Sequence, residues 1–189
     1  SLRTGVFKAR VVQTPHGGHC KSDIYDLPKE RKRSMGKVLA TFSNGFPGAV
    51  SRSVDDVIIG MSNLDSEALA YGVPVVLDST GKGAVKFTAD STAADLVGFT
   101  VRSASKTPDT YGESVGSYAP GDMMDVLVRG SLVAEAAGEP ATGGTVCVVA
   151  ATGALTAETT DNIALTNVRF RGPADGDGRV EILVTERHA

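Results

Sequence analysis

The sequence is poor in the residues that most often carry chemistry. It has no Trp, two Cys and three His among 189 residues. Two cysteines, Cys20 and Cys147, do not make a disulfide framework in a chain of this length. We expect both to be free thiols, with Cys147 packed as a small apolar residue inside a strand. This composition predicts no catalytic site, no metal site and no cofactor.

Long apolar runs are also missing. The longest one, Val146–Ala151, is far shorter than the roughly 18–20 residues that a membrane-spanning helix requires. The first residues do not combine a basic stretch, an apolar core and a small-residue cleavage site, so we expect no secretory signal. The sequence therefore predicts a protein that is made in the cytoplasm and has no membrane partner.

Four short motifs resemble reactive sites, but each lacks a required part. The loop His16–Cys20 offers three metal ligands without the fourth that structural zinc takes. Ser103 and Lys106 have the spacing of serine acylases without their other elements. Thr80–Gly83 lacks the first Gly and the final Ser or Thr of a phosphate-binding loop. Asp175–Gly178 lacks the further oxygen ligands of a calcium loop. We interpret the motifs as loops and tight turns.

What the chain does contain is a series of short β-type runs. From about Phe46 onward they are separated by Gly, Pro, Ser and Asp, and their alternation predicts eight strands: Val54–Met61, Val73–Leu77, Ala84–Phe87, Val97–Arg102, Met123–Val133, Val146–Val149, Ile163–Phe170 and Val180–Thr185. The one weakly helical run, Asp90–Leu96, is too short for a crossover helix in a parallel sheet. We predict an all-β fold, an antiparallel jelly-roll-like sandwich or barrel, with an extended N-terminal arm.

Charge divides the chain into two parts. Residues 1–45 hold nine Lys or Arg against three Asp or Glu, and residues 46–189 hold ten against nineteen. We therefore predict a basic arm, 1–45, and a β-rich domain, 46–189. The arm is too polar to offset the cost of ordering its backbone alone. We expect it to order against an acidic neighbour, in direct contact because salt screens charges beyond about 10 Å.

The basic run Arg31, Lys32 and Arg33 is also compatible with nucleic-acid phosphates. Aromatic residues that could stack on bases make up only 5% of the chain, and the rest of the chain is acidic. Phosphate binding favours a continuous basic surface, so we predict a protein partner rather than nucleic acid.

Several uncommon strings occur in the order found in a family of tailed-bacteriophage capsid cement, or decoration, proteins. The first string is Phe46–Ile59, and the others follow it along the chain: Ser105–Gly112, Gly116–Tyr118, Pro120–Met123, Val126–Gly130, Ile163–Asn167 and Val180–Arg187. The chain resembles this family over about residues 46–188. Family members begin near Met35, so residues 1–34 are an extension that the resemblance does not cover.

The resemblance implies a structural virion protein and not an enzyme. Such a protein binds the outer surface of an icosahedral capsid, cements neighbouring major capsid protein subunits, and forms a small homo-oligomer, a dimer or a trimer. No catalytic residue is carried over from the family. We predict partner-binding residues in the arm and at the start of the β-rich domain: Phe7, Tyr25, Arg31, Lys32, Arg33, Phe42, Phe46, Pro47 and Arg52.

Two other classes of function remain open at this point. One is a carbohydrate- or receptor-binding β-sandwich module, which the lack of Trp as a stacking platform disfavours. The other is a hydrolase that uses Ser103 and Lys106, or a carboxylate pair among the acidic residues of the β-rich domain.

Overall fold

The computed structural model describes residues 43–103 and 116–185. Within these ranges the chain forms eleven strands, one 3-10 turn at Ala93–Asp95 and no α-helix. The strands are β1 (Val50–Asn63), β2 (Leu69–Ala70), β3 (Pro74–Leu77), β4 (Gly83–Lys86), β5 (Leu96–Thr100), β6 (Ser117–Tyr118), β7 (Met123–Ala137), β8 (Thr145–Val148), β9 (Leu155–Thr156), β10 (Ile163–Phe170) and β11 (Arg179–Val184). This part of the chain has no helix with the length and apolar character needed to span a bilayer.

All eight predicted strands are present. Strand β7 continues to Ala137 instead of ending at Val133, because pairing with β9 and β11 extends it through a stretch of Ala and Glu with weak strand preference. Strands β2, β6 and β9 were not predicted, since two residues cannot display an alternating pattern. The weakly helical run Asp90–Leu96 contains only the 3-10 turn.

The strand pairings close two rings that share β7. One ring runs β1-β4-β3-β5-β7 and back to β1, and the other runs β7-β11-β10-β8-β9 and back to β7. Each ring is completed by a short parallel ladder. Ser62 pairs with Gly83 where β1 meets β4, and Ala136 pairs with Leu155 where β7 meets β9.

These two ladders modify the predicted architecture. The all-β prediction is confirmed, but the sheet is mixed, because β1–β4 and β7–β9 are parallel while the other pairings are antiparallel. Alternation along a strand does not reveal the direction of its neighbour, so neither parallel pair could be predicted from the sequence. The jelly-roll topology stays a prediction.

Strand β7 supplies side chains to both hydrophobic cores. Val126 and Val128 pack in a core that includes Val75 and Tyr118. Leu127, the residue between them, belongs to the second and larger core. Neighbouring side chains on a strand point to opposite faces, so β7 separates the two cores and holds them in register.

Of the two cysteines, Cys147 lies within the described residues. Cys147 lies in β8, fully buried and free, and burial raises the pKa of its thiol. This placement agrees with its predicted role as a small apolar residue. Cys20 lies outside the described residues.

The close approach of β5 to β7 requires glycine at position 98. A Cβ on Gly98 would lie 2.1 Å from the Leu127 carbonyl oxygen, and that backbone atom cannot move aside without breaking the ladder. We predict that Gly98→Ala lowers the free energy of unfolding by about 1–3 kcal/mol or more, the usual cost of overpacking. Urea denaturation measures the change.

The matched control for this substitution is Gly60→Ala. There the new Cβ would meet only the Met123 Cε atom, at an ordinary 3.7 Å. Equal stability of the two variants would show that the β5–β7 contact tolerates a side chain.

Candidate partner-binding surface

The segment that leads into β1, Ser43–Ala49, is tied to the turn before β11. The Asn44 backbone nitrogen donates to Asp175 Oδ2 at 2.9 Å, and Asn44 Nδ2 donates to the Arg179 carbonyl at 2.7 Å. Burial acts to raise the pKa of Asp175, but the amide donors around it outweigh this effect and hold its pKa below the usual value. The predicted tight turn at Asp175–Gly178 is present, since the Gly178 nitrogen donates to the Asp175 carbonyl at 3.1 Å. The Asp175 carboxylate accepts hydrogen bonds from backbone amides.

The Phe46 ring lies between two arginines. Arg102 is 4.8 Å and Arg179 is 5.5 Å from the ring centroid, within the range of cation–π attraction. The ring remains 44% exposed. Pro47, next to it, is buried within the same chain. Phe46 and Pro47 thus help to hold the domain's own fold, and their predicted contact with a partner stays a prediction.

Gly48 allows the chain to turn into β1 directly after Pro47. Its φ is +77°, and a Cβ at this position would lie 2.9 Å from the Arg102 backbone nitrogen. That nitrogen donates to the Gly48 carbonyl at 2.7 Å, while the Gly48 nitrogen donates to the Val133 carbonyl at 2.8 Å. The Phe-Pro-Gly string is therefore attached to the sheet through its backbone.

Arg52 is exposed and forms an ion pair across the sheet. Its Nε lies 2.7 Å from Glu181 Oε1, and Ser51 Oγ donates to the same oxygen at 2.8 Å. Burial acts to raise the pKa of Glu181, but the bonds from Arg52 and Ser51 outweigh it and lower the pKa. Glu181 therefore stays ionised at neutral pH, and Arg52, with its side chain 60% exposed, remains within reach of a partner.

Strand β1 has a large bulge just beyond Arg52. Arg52 lies opposite Ser131 and Val57 lies opposite Arg129, so five steps along β1 match two along β7. Asp55, inside the bulge, forms an ion pair with Arg129. Bulges redirect side chains and often occur next to functional surfaces. Here the bulge presents paired charges beside exposed apolar residues.

Six large apolar side chains in the described part of the chain are exposed: Phe46, Val57, Ile58, Leu64, Leu77 and Met123. Met123 is the most exposed, at 66%, and it lies along β1, where Ser62 Oγ contacts its sulfur at 3.3 Å. Single exposed apolar residues are ordinary on a protein surface. Several on one pair of strands are more typical of a contact surface.

The other predicted partner-binding residues cannot be placed. Phe7, Tyr25, Arg31, Lys32, Arg33 and Phe42 lie outside the described residues. So do the loop His16–Cys20 and Lys106, the second residue of the Ser103–Lys106 motif that the hydrolase alternative would use. In residues 43–103 and 116–185, no three His, Cys, Asp or Glu side chains come together in a way that could hold a metal ion.

Sequence reasoning did not identify the residues that complete this surface. Asn44 and Asp175 are 131 residues apart, and Arg52 and Glu181 are 129 apart. A hydrogen bond between positions so distant leaves no local pattern in a single sequence. The Phe46 string could be singled out, but its arginine partners could not.

The Glu181 ion pair makes a pH-dependent contribution to stability. A carboxylate whose pKa is lowered by folding stabilises the fold above its unfolded pKa of about 4.3, and this contribution is lost as the pH falls through the folded value. We predict that Glu181→Gln loses less stability than the parent chain between about pH 5 and pH 3. Unfolding in urea at several pH values measures both curves.

Glu139→Gln is the control, because Glu139 is an exposed glutamate that forms no ion pair with any described residue. Its curve should follow that of the parent chain. Parallel curves for Glu181→Gln and the parent would mean that the Arg52 pair does not stabilise the fold.

Residues 37–185 match the model of a family described as "Structural cement protein (E217 gp24/Pam3 gp6)". Among curated proteins, none has a matching sequence. The match covers the whole described domain, including the Phe46 string, the β1 bulge and both rings of strands.

A solved structure has a similar fold. It is a chain in the capsid of Myoviridae phage XM1, with a TM-score of 0.61 and 16% sequence identity. The alignment covers 79% of this chain and 95% of that chain. At this level of identity the similarity establishes a shared fold.

Proposed function

We propose that this chain, which belongs to the family of structural cement proteins, binds the outer surface of an icosahedral phage capsid and cements neighbouring major capsid protein subunits. The family is a class of structural virion proteins and not of enzymes. The observation that carries the proposal is the family match over residues 37–185. It favours a capsid role over the carbohydrate-binding and hydrolase alternatives.

The described surface is suited to such a role. The exposed Ile58 on β1 lies opposite Leu127 on β7, close to the Asp55–Arg129 ion pair. The exposed Met123 lies farther along the same two strands, opposite Ser62. An apolar centre with a charged rim is the usual composition of a protein interface. We propose that this face of β1 and β7 contacts the capsid.

The basic arm supplies a second contact. It carries six more positive than negative charges, with nine Lys or Arg against three Asp or Glu in residues 1–45. We propose that Arg31, Lys32 and Arg33 face an acidic surface and that Phe7, Tyr25 and Phe42 become buried against it. A protein with two contacts gains effective concentration for the second once the first has formed. Modest contacts then suffice to hold a shell together.

Self-association would multiply these contacts. We propose a dimer or a trimer, with each copy carrying its own capsid contact, and neither a membrane nor nucleic acid as a partner. An oligomer on a shell engages several subunits at once, and its dissociation requires all contacts to break together.

Capsid binding can be tested through the thermal stability of the capsid shell. Purified protein, added to bare capsids of the cognate major capsid protein, should raise the temperature at which the shells melt, saturably with concentration. At about 100 times the dissociation constant, each filled site stabilises the native shell by about 2.7 kcal/mol. Calorimetry measures the shift, and unchanged melting at saturating protein would refute the proposal.

The arm can be tested separately. Deletion of residues 1–34 should lower occupancy on bare capsids at limiting protein concentration, because the second contact is lost. Quantitative gel analysis of sedimented capsids measures occupancy. A chain of full length in which the Lys and Arg of this segment are replaced by Gln distinguishes charge from contact area. Undiminished occupancy after deletion would remove the arm from the mechanism.

A further inference from the structure

A groove lies between the β3–β4 hairpin and the stretch Thr88–Val97. Its volume is about 620 Å³, and its apolar lining includes Val76, Val85 and Leu96. Leu77, at the end of β3, also lines the groove and is 44% exposed. An exposed apolar side chain above an apolar floor is characteristic of a surface that another molecule covers.

The rim of this groove is acidic. Asp90 and Asp95 line it, together with no Lys or Arg. Asp95 accepts hydrogen bonds from the Thr92 nitrogen and Oγ1, at 2.8 and 2.7 Å, through one oxygen, Oδ2. The Thr92 hydroxyl and amide lower the pKa of Asp95, so this carboxylate is ionised at neutral pH. Its second oxygen has no hydrogen bond to any other residue in the described ranges.

The chain itself contains a segment of matching chemistry. Residues 1–42 carry nine Lys or Arg against three Asp or Glu. Within them, Val6–Val12 interleaves apolar residues with Lys8 and Arg10. This pattern offers apolar groups for the floor of the groove and cations for its rim.

We propose that the groove of one copy binds Val6–Val12 of a neighbouring copy, with Lys8 and Arg10 facing Asp90 and Asp95. The inference rests on the proposed function, because copies side by side on a shell are the neighbours that this contact links. For Phe7, which lies within Val6–Val12, the acidic surface is this groove of the neighbouring copy. Reach does not limit it: the stretch between Val12 and Ser43 can span at most roughly 100 Å when extended. The resulting links join cement copies to one another, in addition to joining them to the capsid.

Self-association of the full chain tests the contact. Analytical ultracentrifugation at low salt should show association that weakens as NaCl rises from about 0.05 to about 0.5 M, because screening shortens the range of the charge attraction. Asp90→Lys should weaken it about fivefold, the effect of turning one exposed attraction into a repulsion. Leu77→Thr should weaken it as well, by removing apolar contact area.

Two matched controls accompany these variants. Glu139→Lys makes the same change of charge at an exposed position that does not line the groove. Leu64→Thr removes an equally exposed leucine, 45% against 44%, that does not line the groove either. Association of both controls should equal that of the parent chain. Equal weakening in Asp90→Lys and Glu139→Lys would overturn the proposal, since it would reflect total charge alone.

A mixing experiment establishes that the contact joins two copies. A chain with Lys8→Asp and Arg10→Asp keeps an intact groove, and the Asp90→Lys chain keeps an intact basic segment. Each alone should associate weakly, and their mixture should recover association between unlike copies. Failure of the mixture to recover would overturn the proposal and would indicate a contact within one copy or with another surface.

Occupancy on bare capsids separates this inference from the proposed function. If the Asp90→Lys chain binds shells and also self-associates as strongly as the parent chain, the groove contact is refuted and the capsid-binding proposal is unaffected. If the Asp90→Lys chain loses self-association but the parent chain does not bind shells, the groove contact is supported and the capsid role is refuted.

Discussion

The fold depends on one strand that two rings of strands share. Strand β7 pairs with β1, β5, β9 and β11, and its adjacent residues Val126 and Leu127 pack in different cores. A slip of one residue would exchange these faces and put each side chain into the wrong core. The register of β7 is therefore fixed by packing on both sides, and short parallel ladders suffice to close each ring.

The same strand positions the surface that we assign to partner binding. The segment leading into β1 is attached to β7 through Gly48 and Val133 and to the β11 turn through Asn44 and Asp175. These bonds fix the chain at the point where residues 1–42 join the domain.

Local patterns predicted what local physics determines. Short β-type runs bounded by Gly, Pro, Ser and Asp identified eight strands, with the clearest alternation in Met123–Val133. Cys147 could be placed in a strand because it lies in the short apolar run Val146–Ala151. Pairing direction, the two-residue strands and the Arg52–Glu181 contact depend on residues far apart in sequence. The groove at Leu77 arises where a hairpin meets a turn, and neither element carries a distinctive motif. The Phe46 string was identified through a resemblance, and only the structure assigns it a role in the domain's own fold.

Charge explains why a cement protein benefits from a separate basic segment. Residues 46–189 carry nine more acidic than basic groups, so two such domains repel one another where their surfaces come within about 10 Å. Mixing charges evenly over the domain would remove the repulsion but would also remove any preferred contact. Concentrating the basic residues in residues 1–45 leaves the contact between two acidic domains repulsive and makes the contact between a basic segment and an acidic domain attractive. Under the capsid role that we propose, attraction arises where a basic segment reaches a complementary acidic surface, and such contacts become numerous as copies occupy neighbouring sites of a shell.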